Sequence, residues 1–208
     1  VVVQGHSHGA VVAKYQPEKL AAMESHWDTR TQAPQYLLVI PDPGEQRNRL
    51  ELFPIPGGLS MLAYHDFNAE VKGLNDFPRE DHPPVMTTFL SFRTMIALGF
   101  LFPVIGAWAW FRRKVPEKSP MLLRVLPWVI PLPYIAIQLG WIVAEMGRQP
   151  WIVYGMMRTS DAVSPGVTTA QVVGSLIGFF AIYGLLVALC IFLLSKYGRK
   201  GPEPAVQD

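Results

Sequence analysis

The residues with the most chemical potential lie within or at the ends of two apolar stretches. Arg93 and Met95 stand inside one stretch, and Glu145 and Arg148 stand at the end of the next. Ionisable groups in membrane-spanning helices are costly, and they face the protein interior and mark functional sites. A thioether ligates soft metals, a carboxylate ligates iron or carries protons, and a guanidinium group binds carboxylates. These four side chains are therefore the first candidates for a functional site.

The spacing of the polar residues around Glu145 is helical. Gln138, Trp141, Glu145 and Arg148 follow one another at intervals of three, four and three residues, which places them on one stripe of a helix. A polar and aromatic stripe on an apolar helix is expected to face protein or a cofactor rather than lipid. The same spacing is also explained by a plain Glu145–Arg148 ion pair at the helix end.

A haem site would use all of these groups. Thioether sulfur ligates iron, and arginines neutralise haem propionates through charge-assisted hydrogen bonds. The sequence contains no Cys-x-x-Cys-His motif, so haem is not attached through that motif. Packing also explains Met95, and snorkelling to the membrane surface also explains Arg93, so both interpretations stay open at this point.

Three long apolar segments must position these residues. They comprise residues 86–111, 121–146 and 167–195, and the last contains no charged residue. About 20 apolar residues suffice to cross the hydrocarbon core of a membrane. The sequence therefore predicts an all-α, polytopic membrane bundle with three transmembrane helices, preceded by an extramembrane segment over residues 1–85. Three prolines are expected to break or kink the second span: Pro127, Pro131 and Pro133.

The distribution of basic residues predicts the orientation. The 112–120 loop and the 196–208 tail are rich in Lys and Arg, whereas the 147–166 loop has two arginines. The positive-inside rule places the first two in the cytoplasm and directs residues 1–85 and 147–166 outward. The predicted setting is a bacterial cytoplasmic membrane. Counted along the antiparallel helices, four candidates fall in the outer half of the bilayer: Arg93, Met95, Glu145 and Arg148.

The 1–85 segment carries seven basic and eleven acidic residues, which indicates a solvated, folded or semi-ordered region. Pro17 suits the first position of a short helix. In that helix Leu20, Met23 and Trp27 share one face, which we expect to rest on the membrane surface. Residues 36–40 and 50–55 resemble short strands.

Several functional classes are excluded by composition. The net charge of +2 and the lack of a long basic run argue against nucleic-acid binding. Cys190 is the single cysteine, which excludes a disulfide framework and a cysteine-based zinc site. His6 and His8 are interpreted as part of a solvated loop, with a metal clip as the alternative. The chain opens without Met or a signal peptide, so we expect it to begin partway through a longer protein.

Three sequence motifs resemble those of one known family. Residues 140–151 (GWIVAEMGRQPW) resemble the signature of subunit I of cytochrome bd-type quinol oxidases. Residues 19–24 (KLAAME) resemble the start of that family's quinol-binding loop, and residues 83–85 (PPV) with 92–95 (FRTM) resemble the start of its seventh span. Their order and spacing match, and the resemblance covers nearly the whole chain.

The resemblance implies a function for each candidate residue. The family couples quinol oxidation to reduction of O₂ to water through haem b558, haem b595 and haem d. Met95 would ligate the iron of haem b558 and Glu145 that of haem b595. The resemblance places Arg93, Trp141 and Arg148 beside the haems. It implies quinol binding and proton release for two loop residues: Lys19 and Glu24.

The resemblance also implies partners and a missing part. Subunit I of the family has about nine spans, and this chain carries the last three with the loop before them. We therefore expect the histidine ligands of haem b558 and haem d to lie on earlier helices. A second subunit, and sometimes a small single-span subunit, would complete the oxidase. The loop has no long helical insertion and resembles the short-loop type.

A second interpretation remains at this stage. The three spans could form a non-enzymatic membrane module or part of a transporter. Gly174, Ser175 and Gly178 would permit close helix packing in either case. A transporter more often shows pseudo-symmetric halves with paired broken helices, and we find no internal repeat here.

Overall fold

The computed structural model describes residues 2–114 and 118–200. By their internal contacts the residues separate into two units, 1–162 and 163–208. Helices predominate, which confirms the predicted all-α class, and the described residues add three short two-stranded antiparallel sheets.

The first unit begins with two consecutive helices. Helix α1 spans Val2–Tyr15 and helix α2 spans Pro17–Glu24, with Pro17 at its first turn. The prediction of a loop around His6 and His8 is wrong, because both lie within α1, although His8 is solvent-exposed as expected. The described residues contain no group of three or more His, Cys, Asp or Glu placed to hold a metal ion.

The apolar face of α2 is buried inside the protein. Leu20 and Met23 are buried, and Trp27, just beyond the helix, is 4% exposed. The expectation that this face rests on the membrane surface is therefore wrong, because the chain itself covers it. Leu20 joins a core cluster with α1 and the segment that follows, formed by Ala13, Ala33, Leu59, Ala63 and Val71.

The remainder of the extramembrane segment contains strands and short helices. Strand β1 (Arg30–Thr31) pairs with β4 (Glu70–Val71), and β2 (Gln35–Asp42) pairs with β3 (Arg47–Ile55) in an antiparallel hairpin. The two predicted strands are confirmed as this hairpin. Three short helices complete the segment: α3 (Gly58–Tyr64) and the 3₁₀ turns Leu74–Asp76 and Arg79–Asp81.

Two antiparallel rods follow. Helix α4 spans Val85–Arg112, and the next rod consists of α5 (Pro120–Val129) and α6 (Leu132–Met146). The predicted break in the second rod is confirmed between residues 129 and 132. Gly140 lies beside Met95, and Gly147 lies beside Thr88, so α4 and α6 run in opposite directions.

A short hairpin of β5 (Trp151–Val153) and β6 (Met157–Arg158) follows α6. The second unit consists largely of α7, Thr169–Lys200, which continues beyond the predicted end of the span at residue 195. Among the described residues, three rods are long and apolar enough to cross a membrane: Val85–Arg112, Pro120–Met146 and Thr169–Lys200. The prediction of three span-length apolar helices is confirmed.

Candidate functional site

A buried carboxylate at the end of α2 meets an arginine of α4. Nη2 of Arg93 lies 2.6 Å from Oε2 of Glu24, and their side chains are 21% and 9% exposed. Nη1 of Arg93 donates to the carbonyl oxygen of Tyr36 at 2.8 Å. Nε2 of Gln35 donates to the same Oε2 of Glu24 at 2.7 Å. Arg93 therefore ties the first part of α4 to both α2 and β2.

Burial and charge act in opposite directions on Glu24. Burial is the largest influence and raises the pKa of the carboxyl, whereas the Arg93 cation and the hydrogen bond from Gln35 lower it. The net direction is upward from the usual value. A carboxyl whose pKa is raised towards the working pH is suited to accept and release a proton.

Lys19 contacts the end of α6. Its Nζ donates to the carbonyl oxygen of Ala144 at 3.2 Å. Glu145 and Arg148 form the ion pair that their spacing predicts. Desolvation lowers the pKa of Lys19, and the nearby Arg148 lowers it further against the opposing effect of Glu145. The two candidates on α2 therefore contact different helices: Lys19 contacts α6 and Glu24 contacts α4.

Gly147 permits the close approach at this end of α6. A Cβ at this position would lie 2.5 Å from the carbonyl oxygen of Val143, 3.0 Å from Cε of Lys19 and 3.2 Å from Cγ2 of Thr88. Real Cβ contacts do not approach a backbone oxygen so closely, so a larger residue would displace the helix end. The lack of a side chain at this position therefore leaves room for α2 and α4 to approach the end of α6.

Met95 and Trp141 lie further along the two rods. A Cβ on Gly140 would lie 3.2 Å from the sulfur of Met95, so the half-buried thioether is held against α6. Trp141, the next residue, is 67% exposed. The structure gathers the seven candidates along the α4–α6 pair but not at one point, since Glu24–Arg93 and Lys19–Glu145–Arg148 form separate groups.

Buried nitrogen atoms test whether the site suits haem. Nε of Arg93 and Nε of Arg148 are buried and have no hydrogen-bond partner among the described residues, and the same holds for Nε1 of Trp151. All three are donors, and a buried donor without an acceptor is costly. The propionates of a haem are acceptors of the required charge. Each of these donors therefore fits an anionic acceptor such as a haem propionate.

The sequence did not point to several contacts that the structure brings together. The hydroxyl of Tyr154, in the loop after α6, lies within hydrogen-bond distance of both carboxylate oxygens of Glu18. Arg158 forms an ion pair with Asp81 at 2.7 Å. Gln35 and Tyr36 are bound to the Glu24–Arg93 pair. These partners are far apart in sequence, and no local spacing signals them.

Three rods of membrane-spanning length, one of which forms a largely buried ion pair with a folded extramembrane segment, define a polytopic membrane protein. The model of the family described as cytochrome bd terminal oxidase subunit I matches residues 1–202. The chain therefore belongs to the cytochrome bd terminal oxidase subunit I family. Membership implies haem cofactors, and the apolar helices and bacterial relatives indicate a bacterial membrane protein.

Individual relatives agree with this assignment. Cytochrome bd ubiquinol oxidase subunit 1 of Bacillus subtilis is 36% identical over 215 residues, covering 98% of this chain and 46% of that protein. Cytochrome bd-II ubiquinol oxidase subunit 1 of Escherichia coli is 29% identical over 268 residues, covering 96% of this chain and 52% of that protein. The chain thus spans about half the length of these relatives.

A solved structure is similar over the same extent. The bd oxidase from Geobacillus thermodenitrificans matches with a TM-score of 0.77 and 36% identity, covering 97% of this chain and 46% of that one. The E. coli alignment extends over 268 positions, more than the 208 residues of this chain, so that relative carries insertions that this chain lacks.

Proposed function

We propose that this chain is the C-terminal part of a quinol-oxidising subunit I, and that α2 and β2 hold its site of quinol oxidation. The complete oxidase would couple oxidation of a membrane quinol to reduction of O₂ to water. The observation that supports this most is the buried Glu24–Arg93 pair, which joins a loop carboxylate to the span that carries Met95. The family membership of the chain supports it independently.

The residues of this chain would accept protons from the quinol and hold the groups of the site in place. A quinol releases two protons and two electrons on oxidation, and the ionised carboxylate of Glu24 would accept a proton from a quinol hydroxyl. Arg93 would hold that carboxylate in place through its 2.6 Å ion pair. Lys19 would fix α2 to the end of α6 through the Ala144 carbonyl.

The cofactor assignments follow the donor types. Haem supplies one-electron chemistry, and three haems (b558, b595 and d) would link quinol to O₂ in the complete subunit. Met95 would ligate the iron of haem b558 and Glu145 that of haem b595. Arg93 and Arg148 would hold haem propionates through their buried Nε atoms. Trp141 would lie between α6 and the cofactor. Haem d would depend on residues outside this chain.

The topology and partners complete the proposal. Residues 1–85 and 147–166 would lie on the outer side of the membrane, and residues 112–120 and 196–208 in the cytoplasm. The spans would be 86–111, 121–146 and 167–195. Many large apolar side chains of these rods are exposed, as lipid, the first half of the subunit, subunit II or a small single-span subunit would require.

A comparison of O₂ consumption with two electron donors tests the proposed role of Glu24 in quinol oxidation. In the complete oxidase, Glu24→Ala is expected to slow quinol-driven O₂ consumption much more than consumption driven by an artificial donor that bypasses the quinol site. Glu70→Ala is the matched control, because Glu70 is an exposed carboxylate on β4 of the same segment. Equal slowing with both donors in Glu24→Ala would contradict a role in quinol oxidation.

A further inference from the structure

A polar pocket opens between Glu24 and the β2–β3 hairpin. It has a volume of about 140 Å³, and its lining includes three carboxylates (Glu24, Asp28 and Glu51), two side-chain amides (Gln35 and Asn48) and two arginines. At one end of this set the side chain of Glu24 is 9% exposed, whereas Glu51 is exposed. The pocket therefore connects a buried carboxylate with a carboxylate at the surface.

The volume decides what the pocket can hold. Sites for small organic ligands occupy roughly 300–1,000 Å³, so this one is too small for a quinol ring with its substituents. A water molecule takes up about 30 Å³, so the pocket accommodates about four or five of them. Its walls also supply the polar partners that ordered water needs. The dimensions and the lining fit a short chain of water molecules.

The outer end of the pocket is firmly held. Nδ2 of Asn48 donates to Oε1 of Glu51 at 2.6 Å and to the carbonyl oxygen of Ser25 at 2.9 Å. Oδ1 of Asn48 accepts from Nε1 of Trp27 at 3.0 Å and from the hydroxyl of Ser25 at 2.6 Å. Both ends of the Asn48 amide are thus occupied. Glu51 is consequently fixed to the residues that immediately follow Glu24.

The inner end offers a free acceptor. Nε2 of Gln35 is bonded to Glu24, which leaves Oε1 of Gln35 buried and without a partner among the described residues. A water molecule beside Glu24 would donate to this oxygen. The cations Arg30 and Arg47 also line the pocket, where they offset the three carboxylates. Two further titratable residues line the pocket close to Glu51, namely His26 and Tyr36.

We propose that this pocket is the proton exit of the quinol-oxidation site, with Glu24 as its inner carboxylate and Glu51 as its outer one. The inference rests on the proposed function. Oxidation of one quinol breaks two O–H bonds and releases two protons and two electrons. The electrons would leave through the haem cofactors, and each proton in turn would bind the Glu24 carboxylate. The proton then passes along the pocket water to Glu51, and from Glu51 to the solvent.

The experiment uses the complete oxidase in membranes. Glu51→Gln keeps the hydrogen bond from Asn48 but removes the proton acceptor. Positioned proton transfer contributes about 10²–10⁴-fold, and Asp28 remains as a second carboxylate, so we expect quinol-driven turnover to fall by about tenfold. The solvent deuterium isotope effect on turnover should increase. Turnover with an artificial donor should stay unchanged, and Glu51→Asp should restore most of the quinol-driven rate.

Glu70→Gln is the control, since it removes an exposed carboxylate that does not line the pocket. A Glu51→Gln enzyme with the normal quinol-driven rate and isotope effect would overturn the exit route. Equal loss with quinol and artificial donor would also overturn it, by revealing a structural role. The proposed function fails separately, if Glu24→Ala slows both donors equally. A selective Glu24→Ala defect with a normal Glu51→Gln enzyme would reject the exit alone.

Discussion

Arg93 shows how one residue can satisfy several demands. An arginine inside an apolar helix is costly unless its charge is paired. Here Glu24 supplies the opposite charge and Tyr36 a carbonyl acceptor, while Nε remains available to a further acceptor. The type and position of Arg93 predicted a functional site. Its partners Tyr36 and Glu24 lie 57 and 69 residues away in sequence, so no local spacing could predict them.

The ligand assignment of Met95 is tested by a single substitution. Met95→Leu keeps the volume and apolar character of the side chain but removes the thioether that would bind iron. In the complete oxidase we expect the low-spin spectrum of haem b558 to be lost or to become high-spin, while quinol binding persists. Met86→Leu, at the start of the same helix, should leave the spectrum intact. A normal low-spin spectrum in Met95→Leu would refute the assignment.

The pH profile tests the environment of Glu24. If ionised Glu24 accepts the quinol proton, the rate falls on the acid side as this carboxylate is protonated. Burial raises the pKa of Glu24 above its ordinary value, and the Arg93 cation and the Gln35 hydrogen bond counteract that effect. Gln35→Leu removes a lowering influence, so the pKa rises further and the acid limb of quinol-driven kcat/KM should move to higher pH. An unmoved or lowered limb would contradict this, and the artificial-donor profile serves as the reference.

At the scale of elements, apolar length and proline position were sufficient to predict the rods. The uncharged stretch from residue 167 to 195 permits a membrane helix, and the prolines at 131 and 133 interrupt the second rod where the structure has its break. Apolar length and proline position could not predict whether the apolar face of α2 packs against lipid or against protein. Its apolar residues are equally suited to lipid and to protein, and the covering residues come from α1 and from the segment around Leu59.

The close junction of α2, α4 and α6 gives a prediction about Gly147. In Gly147→Ala the new Cβ would lie 2.5 Å from the backbone oxygen of Val143, and that oxygen moves only if the helix end moves. We expect the free energy of unfolding to fall by about 1–3 kcal/mol, as overpacking of a tight site typically costs. The measurement is the thermal midpoint of the purified oxidase.

Gly99→Ala is the matched control for this junction. Gly99 lies in α4, and a Cβ there would have no neighbouring atom within 4 Å. Alanine also has the higher helix propensity, so the control should be neutral or stabilising. Equal thermal midpoints for Gly147→Ala and the unchanged protein would show that the helix end accommodates a methyl group, and that Gly147 is not required for the junction.

At the scale of the whole molecule, the asymmetry of charge predicts the sidedness. Basic residues cluster in the loop between the first two rods and after the last, whereas residues 1–85 carry an excess of acid. Cytoplasmic loops are enriched in Lys and Arg because translocation of basic residues is disfavoured. The acidic segment containing Glu24 would accordingly face outward, which suits release of quinol protons away from the cytoplasm.

Cysteine labelling tests this orientation in a full-length subunit whose native cysteines, Cys190 included, are replaced. Lys72→Cys and Ala162→Cys introduce thiols at exposed positions of the segments predicted to lie outside, and Lys118→Cys introduces one in the basic loop. A membrane-impermeant maleimide added to intact cells should label the first two variants, and the third only after lysis. The reverse pattern would place the quinol loop in the cytoplasm, and the proposed proton exit would then open on that side.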